Sequence, residues 1–283
     1  MKVSGIKKTT KECVVLNFDV PEELKALFQF KQGQHLVLSK DINGEEVHRS
    51  YSLCTAPQDD KWQVAIKKIE GGKFSSFAND VLAEGDTLDV MPPDGRFYTE
   101  VEKEKQKNYI AFAAGSGITP IISIIKTHLE EEPQSTFKLF YTNKNTKDII
   151  LKEELEALKN VFFERFEIFY FLTKQKRDIE LFNGRINKEK LDILSKVIFD
   201  PSITDDYFLC GPEEMIFLIR DYLLEKGVNE KRIHFELFNT SSEKKEQAIQ
   251  VTTKKYEGLT SNITIREGGK TSSFKIAQGS DNI

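Results

Sequence analysis

The chain has 283 residues, 39% of them hydrophobic and 21 of them Phe, enough for about two domains with real cores and against global disorder. The net charge is −4 and the Lys and Arg are scattered, so no nucleic-acid partner is expected. No apolar run approaches a membrane span, Met1-Lys2-Val3-Ser4 opens no signal-peptide core, and the dispersed Cys13, Cys54 and Cys210 with four dispersed histidines suit neither zinc nor disulfides, which points to a cytoplasmic protein with no metal site and no membrane partner.

From residue 1 to about residue 102, short alternating runs occur at 13–18, 34–38, 46–53, 62–69 and 87–91. Asn43-Gly44, Gly71-Gly72 and Pro93-Asp94-Gly95 punctuate them. This spacing predicts an antiparallel β-barrel, interrupted by one helix from about Ser76 to Leu82. The third run contains Arg49-Ser50-Tyr51-Ser52. Strand alternation sends Arg49 and Tyr51 to one face and Ser50 and Ser52 to the other. A guanidinium that forks onto phosphate oxygens beside a ring that stacks suits a ligand with a flat ring at one end and a pyrophosphate at the other, and FAD is such a ligand. Alone, the tetrapeptide equally describes an Arg and a Tyr decorating a strand. Lys67, near the end of the next strand, joins the candidate cofactor residues. Gly71-Gly72-Lys73-Phe74-Ser75-Ser76 then leads into the helix. Its glycines and first amides can form an anion site, while its serines also suit plain N-caps.

After the charged stretch 100–107 the rhythm changes, and residues 103–238 read as a second domain. Apolar strands at 109–114, 137–142, 166–172, 207–210 and 232–238 alternate with helices at 120–129, 151–158, 188–196 and 213–226. That order predicts an α/β doubly wound parallel sheet with ligands at the strand carboxyl ends. At its first junction lies Ala114-Gly115-Ser116-Gly117-Ile118-Thr119-Pro120, where Gly115 and Gly117 allow a tight turn, Thr119 is expected to N-cap and Pro120 to take the first helical position. Cys210-Gly211-Pro212-Glu213 repeats the arrangement at the fourth strand. The Cys210 thiol either has a lowered pKa before the helix N-terminus or simply packs. Residues 239–261 are polar and read as a linker, and residues 262–283 read as a hairpin around Glu267-Gly268-Gly269-Lys270.

Together these motifs resemble the ferredoxin–NADP reductase family. Arg49-Ser50-Tyr51-Ser52 matches its R-x-Y-[ST] flavin motif and Gly72-Lys73-Phe74-Ser75-Ser76 its second phosphate motif. Gly115-Ser116-Gly117-Ile118-Thr119-Pro120 resembles its nicotinamide loop and Cys210-Gly211-Pro212 its C-G-P, in family order over residues 1–238. Residues 91–97 and the tail past Phe238 further resemble reductase subunits of phenylacetyl-CoA epoxygenase and related oxygenases, which carry a C-terminal plant-type ferredoxin module.

The resemblance implies that Arg49 binds the flavin pyrophosphate, Tyr51 packs on the ring and Ser52 hydrogen-bonds near flavin N5, with Ser50 and Gly72 completing the two motifs. It implies that Phe74, Ser75 and Ser76 give amides and hydroxyls to the phosphates. Thr119 and Cys210, with Gly115, Gly117, Gly211 and Pro212, are expected to line the nicotinamide pocket. Phe238 is expected to cover the other flavin face, with Glu236 making a polar contact there. Ser52, Cys210, Glu236 and Phe238 form the expected catalytic set. Residues 262–283 would open a β-grasp ferredoxin-like domain. No cysteine follows Cys210, so the chain as given cannot hold the [2Fe–2S] cluster of a C-x₄-C-x₂-C…C pattern, and a truncated form is expected.

Thr142-Asn143-Lys144 and Thr173-Lys174 follow the second and third strands of the nucleotide domain, with no acid directly at either end. A 2′-phosphate needs cations and hydroxyls where NAD pockets usually offer a carboxylate, so Lys144, Thr173 and Lys174 are expected to favour NADP(H) over NAD(H). The same lysines also suit ordinary solvated surface. The reading is an oxidoreductase that takes a hydride from NADPH onto FAD and passes electrons singly to an iron–sulfur acceptor, either its own ferredoxin module or an oxygenase component. A stand-alone ferredoxin or flavodoxin reductase, and a flavin-binding redox regulatory protein without turnover, stay open as alternatives.

Overall fold

Strand pairing organises the first hundred residues. In the computed structural model, which describes residues 1–238 and the backbone of 260–267 and 270–277, two three-stranded antiparallel sheets form, ordered β1-β2-β5 and β4-β3-β6. Their strands are β1 (Lys2–Thr10), β2 (Cys13–Asp19), β3 (His35–Ile42), β4 (Glu45–Ser52), β5 (Trp62–Lys67) and β6 (Asp89–Val90). Two antiparallel bridges, Leu53 to Val64 and Lys2 to Thr87, join the sheets at both seams and close them into a barrel. Its interior is filled by Leu16, Leu36, Leu38, Val64 and Ile66, all without exposed surface. Helix α1 (Lys73–Asp80) plugs this core with Phe74 and Ala78.

Three elements differ most from the sequence expectation. β1 shows little alternation of its own, and its register against β2, Val3 opposite Phe18 through Thr10 opposite Cys13, makes it a strand. Helix α1 starts at Lys73, three residues before the expected Ser76, because Gly72 is the cap and Phe74 is pulled into the core. β6 shrinks to two residues, the part that pairs with Leu38 and Ser39.

From Asn108 onward, β7 (Asn108–Ala114), α2 (Ile118–Glu131), β8 (Thr136–Asn143), α3 (Lys152–Val161), β9 (Phe166–Leu172), α4 (Lys188–Val197), β10 (Asp206–Gly211), α5 (Glu213–Glu225) and β11 (Ile233–Leu237) alternate. The five strands make one parallel sheet ordered β11-β10-β7-β8-β9. The order reverses between β7 and β10, so the crevice for a ligand lies beyond Ala114 and Gly211. Both faces are covered, and Ala111, Phe112, Phe140, Phe208 and Leu209 are fully buried.

Residues Met1–Phe238 form one compact unit and Asn239–Ile283 a second. In the second unit, β12 (Thr260–Glu267) and β13 (Lys270–Ala277) pair antiparallel from Thr260 opposite Ala277 to Glu267 opposite Lys270. The hairpin therefore begins two residues before the expected position 262, while the remainder of the expected linker, residues 239–259, lies outside the described residues.

Candidate active site

β4 is the edge strand of its sheet, and it carries Arg49, Ser50, Tyr51 and Ser52. Arg49 and Ser50 are exposed, Tyr51 is half-buried and Ser52 is buried. The Arg49 guanidinium donates to the His48 carbonyl at 2.7 Å. Tyr51 packs on Phe74 of α1, ring centroids 5.6 Å apart, so the two sequence motifs meet in space. Lys73 at the start of α1 also pairs with Glu45 at the start of β4.

The N-terminus of α1 suits phosphate. The first ladder bond runs from the Ser76 N–H to the Gly72 carbonyl, which leaves the amides of Lys73, Phe74 and Ser75 without an intrahelical acceptor. Gly72, not a serine, is the cap, and among the described residues no side chain caps this helix. The Ser75 hydroxyl is engaged internally: it accepts the Ile69 N–H at 3.1 Å and donates to the Gly72 carbonyl at 3.3 Å. With Ser75 buried, only its amide is free for a ligand, whereas Ser76 is half-buried and has open access. Three free amides and an exposed guanidinium fit the pyrophosphate of a dinucleotide.

The crevice between β7 and β10 holds the glycine loop. Gly115 sits at φ +55°, and a Cβ placed on Gly117 would lie 2.2 Å from the Cys210 carbonyl oxygen, so only glycine lets the loop pack on the end of β10. Gly211 is equally tight, since its Cβ would meet Met215 Cε at 2.8 Å and Ala114 Cβ at 3.0 Å. Thr119 does not cap: α2 begins at Ile118 after a turn of 3₁₀ helix, Gly117 is the cap, and Thr119 Oγ1 donates back to the Ser116 carbonyl at 3.0 Å. Pro120 consequently sits in the third helical position rather than the first. Cys210 is fully buried, and burial first, then the nearby Glu236 carboxylate, pushes its thiol well above the ordinary range. Packing, and not an activated thiolate, is the role this environment gives it. Pro212 is the cap of α5.

Ser52 joins the two halves. Its hydroxyl reaches Glu236 Oε2 of β11 at 3.5 Å. Burial pushes the Glu236 carboxyl up to about 7, a rise the Ser52 hydroxyl only partly offsets. Glu236 also lines an open groove of about 320 Å³ with Arg96, Phe97, His234 and Phe235. Phe238 packs against the core cluster that contains Cys13, Cys54 and Ala65 of the barrel together with Ala113 and Cys210 of the sheet. Lys67, half-buried, approaches the glycine loop, its Nζ lying 3.6 Å from where a Gly115 Cβ would be.

At the far side of the sheet, Lys144, Thr173 and Lys174 are exposed. The Thr173 and Lys174 amides donate to the Asn143 and Lys144 carbonyls at 2.9 and 2.8 Å, so the two strand ends run side by side and hold both lysines on one ledge.

Family profiles match both halves: an oxidoreductase FAD-binding domain over residues 1–98 and an oxidoreductase NAD-binding domain over residues 112–221. The chain is 34% identical to one component of the 1,2-phenylacetyl-CoA epoxidase of Escherichia coli, over 95% of its own length and 74% of that protein. It is 32% identical to the ferredoxin reductase component of 3-ketosteroid-9-alpha-monooxygenase from Rhodococcus rhodochrous, over 86% of its own length and 65% of that protein. The chain belongs to the ferredoxin reductase-like family of FAD- and NAD-binding oxidoreductases. In fold it is similar to the flavohem-like FAD/NAD binding domain of nitric oxide dioxygenase from Vibrio cholerae, with a TM-score of 0.71 at 21% identity, over 84% of this chain and 97% of that one.

For this ferredoxin reductase-like chain, the sequence reading missed Tyr141. Its hydroxyl donates to the Gly115 carbonyl at 2.8 Å and reaches the Ile150 carbonyl at 3.4 Å, fastening the glycine loop from below. Tyr141 lies within an apolar strand run and carries no sequence signal beyond core packing. Among the described residues, no helix is long and apolar enough to cross a membrane and no group of three or more His, Cys, Asp or Glu could hold a metal ion.

Proposed function

We propose that this oxidoreductase is the reductase arm of an oxygenase system, taking electrons from NADPH through FAD to an iron–sulfur acceptor. The observation that carries the reading is the meeting of Ser52, in the flavin-type motif of β4, with Glu236 at the end of β11, next to the Gly117–Cys210 junction. Residues 1–102 are the flavin domain and residues 103–238 the nucleotide domain. Bound FAD supplies the chemistry that couples two-electron hydride transfer to one-electron release. Arg49 and the α1 amides hold the pyrophosphate, aided by Ser50, Gly72 and Ser76, while Tyr51 and Phe238 flank the ring. Gly115, Gly117, Thr119, Cys210, Gly211 and Pro212 shape a dry wall for the nicotinamide, with Lys67 facing its phosphates. Glu236, lifted by burial to about 7, can take up or release a proton near neutral pH and pass it to the site through Ser52. Lys144, Thr173 and Lys174 favour the 2′-phosphate of NADPH. The names of the two relatives, one from an epoxidase and one the reductase component of a monooxygenase, support an oxygenase as the destination of the electrons. The β12–β13 hairpin corresponds, on this reading, to the opening strand pair of a ferredoxin-like module.

Absorbance of the purified protein tests this. A flavin band near ~450 nm that NADPH bleaches faster than NADH is expected, and a band that neither nucleotide bleaches would refute the reductase reading. Arg49→Ala should weaken FAD binding by about 2–3 kcal/mol, read by equilibrium titration. Lys174→Ala should raise the KM for NADPH and leave that for NADH unchanged.

A further inference from the structure

A buried ionic network lies at the opposite end of α2 from the glycine loop. Glu132 and His128 have no exposed surface. The Glu132 carboxylate is bonded to His128 Nδ1 at 3.0 Å and accepts from the Tyr109 hydroxyl at 2.8 Å, the Ser135 hydroxyl at 2.8 Å and the Glu102 N–H at 2.9 Å. His128 Nε2 meets the Thr99 hydroxyl at 3.1 Å. Arg165 donates to the Leu129 carbonyl at 2.8 Å and to the Glu132 and Ser135 carbonyls at 3.0 Å, closing the helix end.

Two of these partners, Thr99 and Glu102, belong to the connector between barrel and sheet. From the barrel side, Gln32 donates to the Thr99 carbonyl at 2.7 Å. Gly33, at φ +80°, lets the barrel loop touch the connector, since a Cβ there would lie 2.1 Å from the Phe97 carbonyl oxygen and 3.1 Å from Ile124 of α2. The flank of α2 is tied to the barrel as well. Ser123 donates to the Thr55 carbonyl at 2.6 Å, Lys126 pairs with Asp59, and Gln58 donates to Glu130 at 2.6 Å. With 14 residues, α2 spans roughly 21 Å between this network and the glycine loop.

We infer that α2 is the strut that sets the barrel against the nucleotide sheet, and that Glu132 is a positioning residue for hydride transfer. This rests on the reductase reading above. A purely apolar junction would let the connector slide with little loss. Here a shift of an ångström strands several buried donors without acceptors, so one orientation is selected. That orientation fixes the gap between the β4 motif and the glycine loop, on which the rate of transfer depends steeply.

The test pairs stopped-flow bleaching of the FAD-loaded protein with hydrogen exchange of the apoprotein in Glu132→Gln and Thr99→Val. Both variants should speed exchange over residues 97–102 and lower the limiting reduction rate per bound flavin, by at least ~10-fold for Glu132→Gln and less for Thr99→Val, with FAD content and the nucleotide Kd unchanged. Faster exchange with an unchanged limiting rate would make the network merely structural and overturn the inference. Unchanged exchange and rate would overturn it too. If Glu132→Gln does not fold, Thr99→Val decides by the same two readouts. Parent protein whose flavin is not bleached by NADPH or NADH would instead refute the reductase reading, and this inference with it.

Discussion

Glu132 is fully buried and Glu236 half-buried where the barrel meets the sheet, and their carboxyls are shifted in opposite directions. Burial pushes each one up. At Glu132, His128, the Glu102 amide and Ser135 more than offset that push and hold the carboxyl at about 2. At Glu236 the one side-chain partner among the described residues is Ser52 at 3.5 Å, and the carboxyl stays up at about 7. Depth alone would lift the fully buried Glu132 more, so donor supply decides the direction. A buried acid surrounded by donors keeps its charge and locks structure, while a half-buried one with few donors is lifted toward neutral pH, where it can gain or lose its proton.

The largest effect that would break this contrast is at Glu132. Glu132→Ala strands His128, Tyr109, Ser135 and the Glu102 amide in a dry site and should cost about 3–5 kcal/mol in denaturant unfolding. A loss below ~1 kcal/mol would mean that water enters and the network is not closed.

Stability as a function of pH separates the two acids next. The depressed Glu132 contributes stability that is complete above its ordinary value of 4.5 and is lost as pH falls toward 2. The raised Glu236 contributes in the other direction, fully below 4.5 and progressively less as pH rises toward 7. Glu236→Gln should therefore remove the decline between pH 4.5 and 7 and leave the acid limb intact. An unaltered profile in that window would show that Glu236 is solvated.

Ser52→Ala gives the smallest change. Removing a donor at 3.5 Å, a long bond, should raise the Glu236 carboxyl by less than about one pKa unit, read by carbon-detected NMR titration. A fall would reverse the assigned role of Ser52 as the group that favours the charged form.

Local pattern along the chain was enough to specify the two-part organisation and the position of each motif. Period-two alternation marked five of the six barrel strands, and apolar runs separated by helices marked the parallel sheet, because both patterns are local consequences of which face is buried. Gly115, Gly117 and Gly211 were legible since a positive φ or a close approach admits no side chain there. The remainder came from long-range packing. β1 became a strand through its pairing with β2, and α1 started early because the barrel core needed Phe74. Cys210 was left open between thiolate and packing, and its full burial by several elements at once favours packing. Ser52 and Glu236 stand 184 residues apart, and Glu102 and Glu132 stand 30 apart. No spacing rule links such pairs, because their partnership exists only once the barrel and the sheet have packed and the local dielectric has fallen.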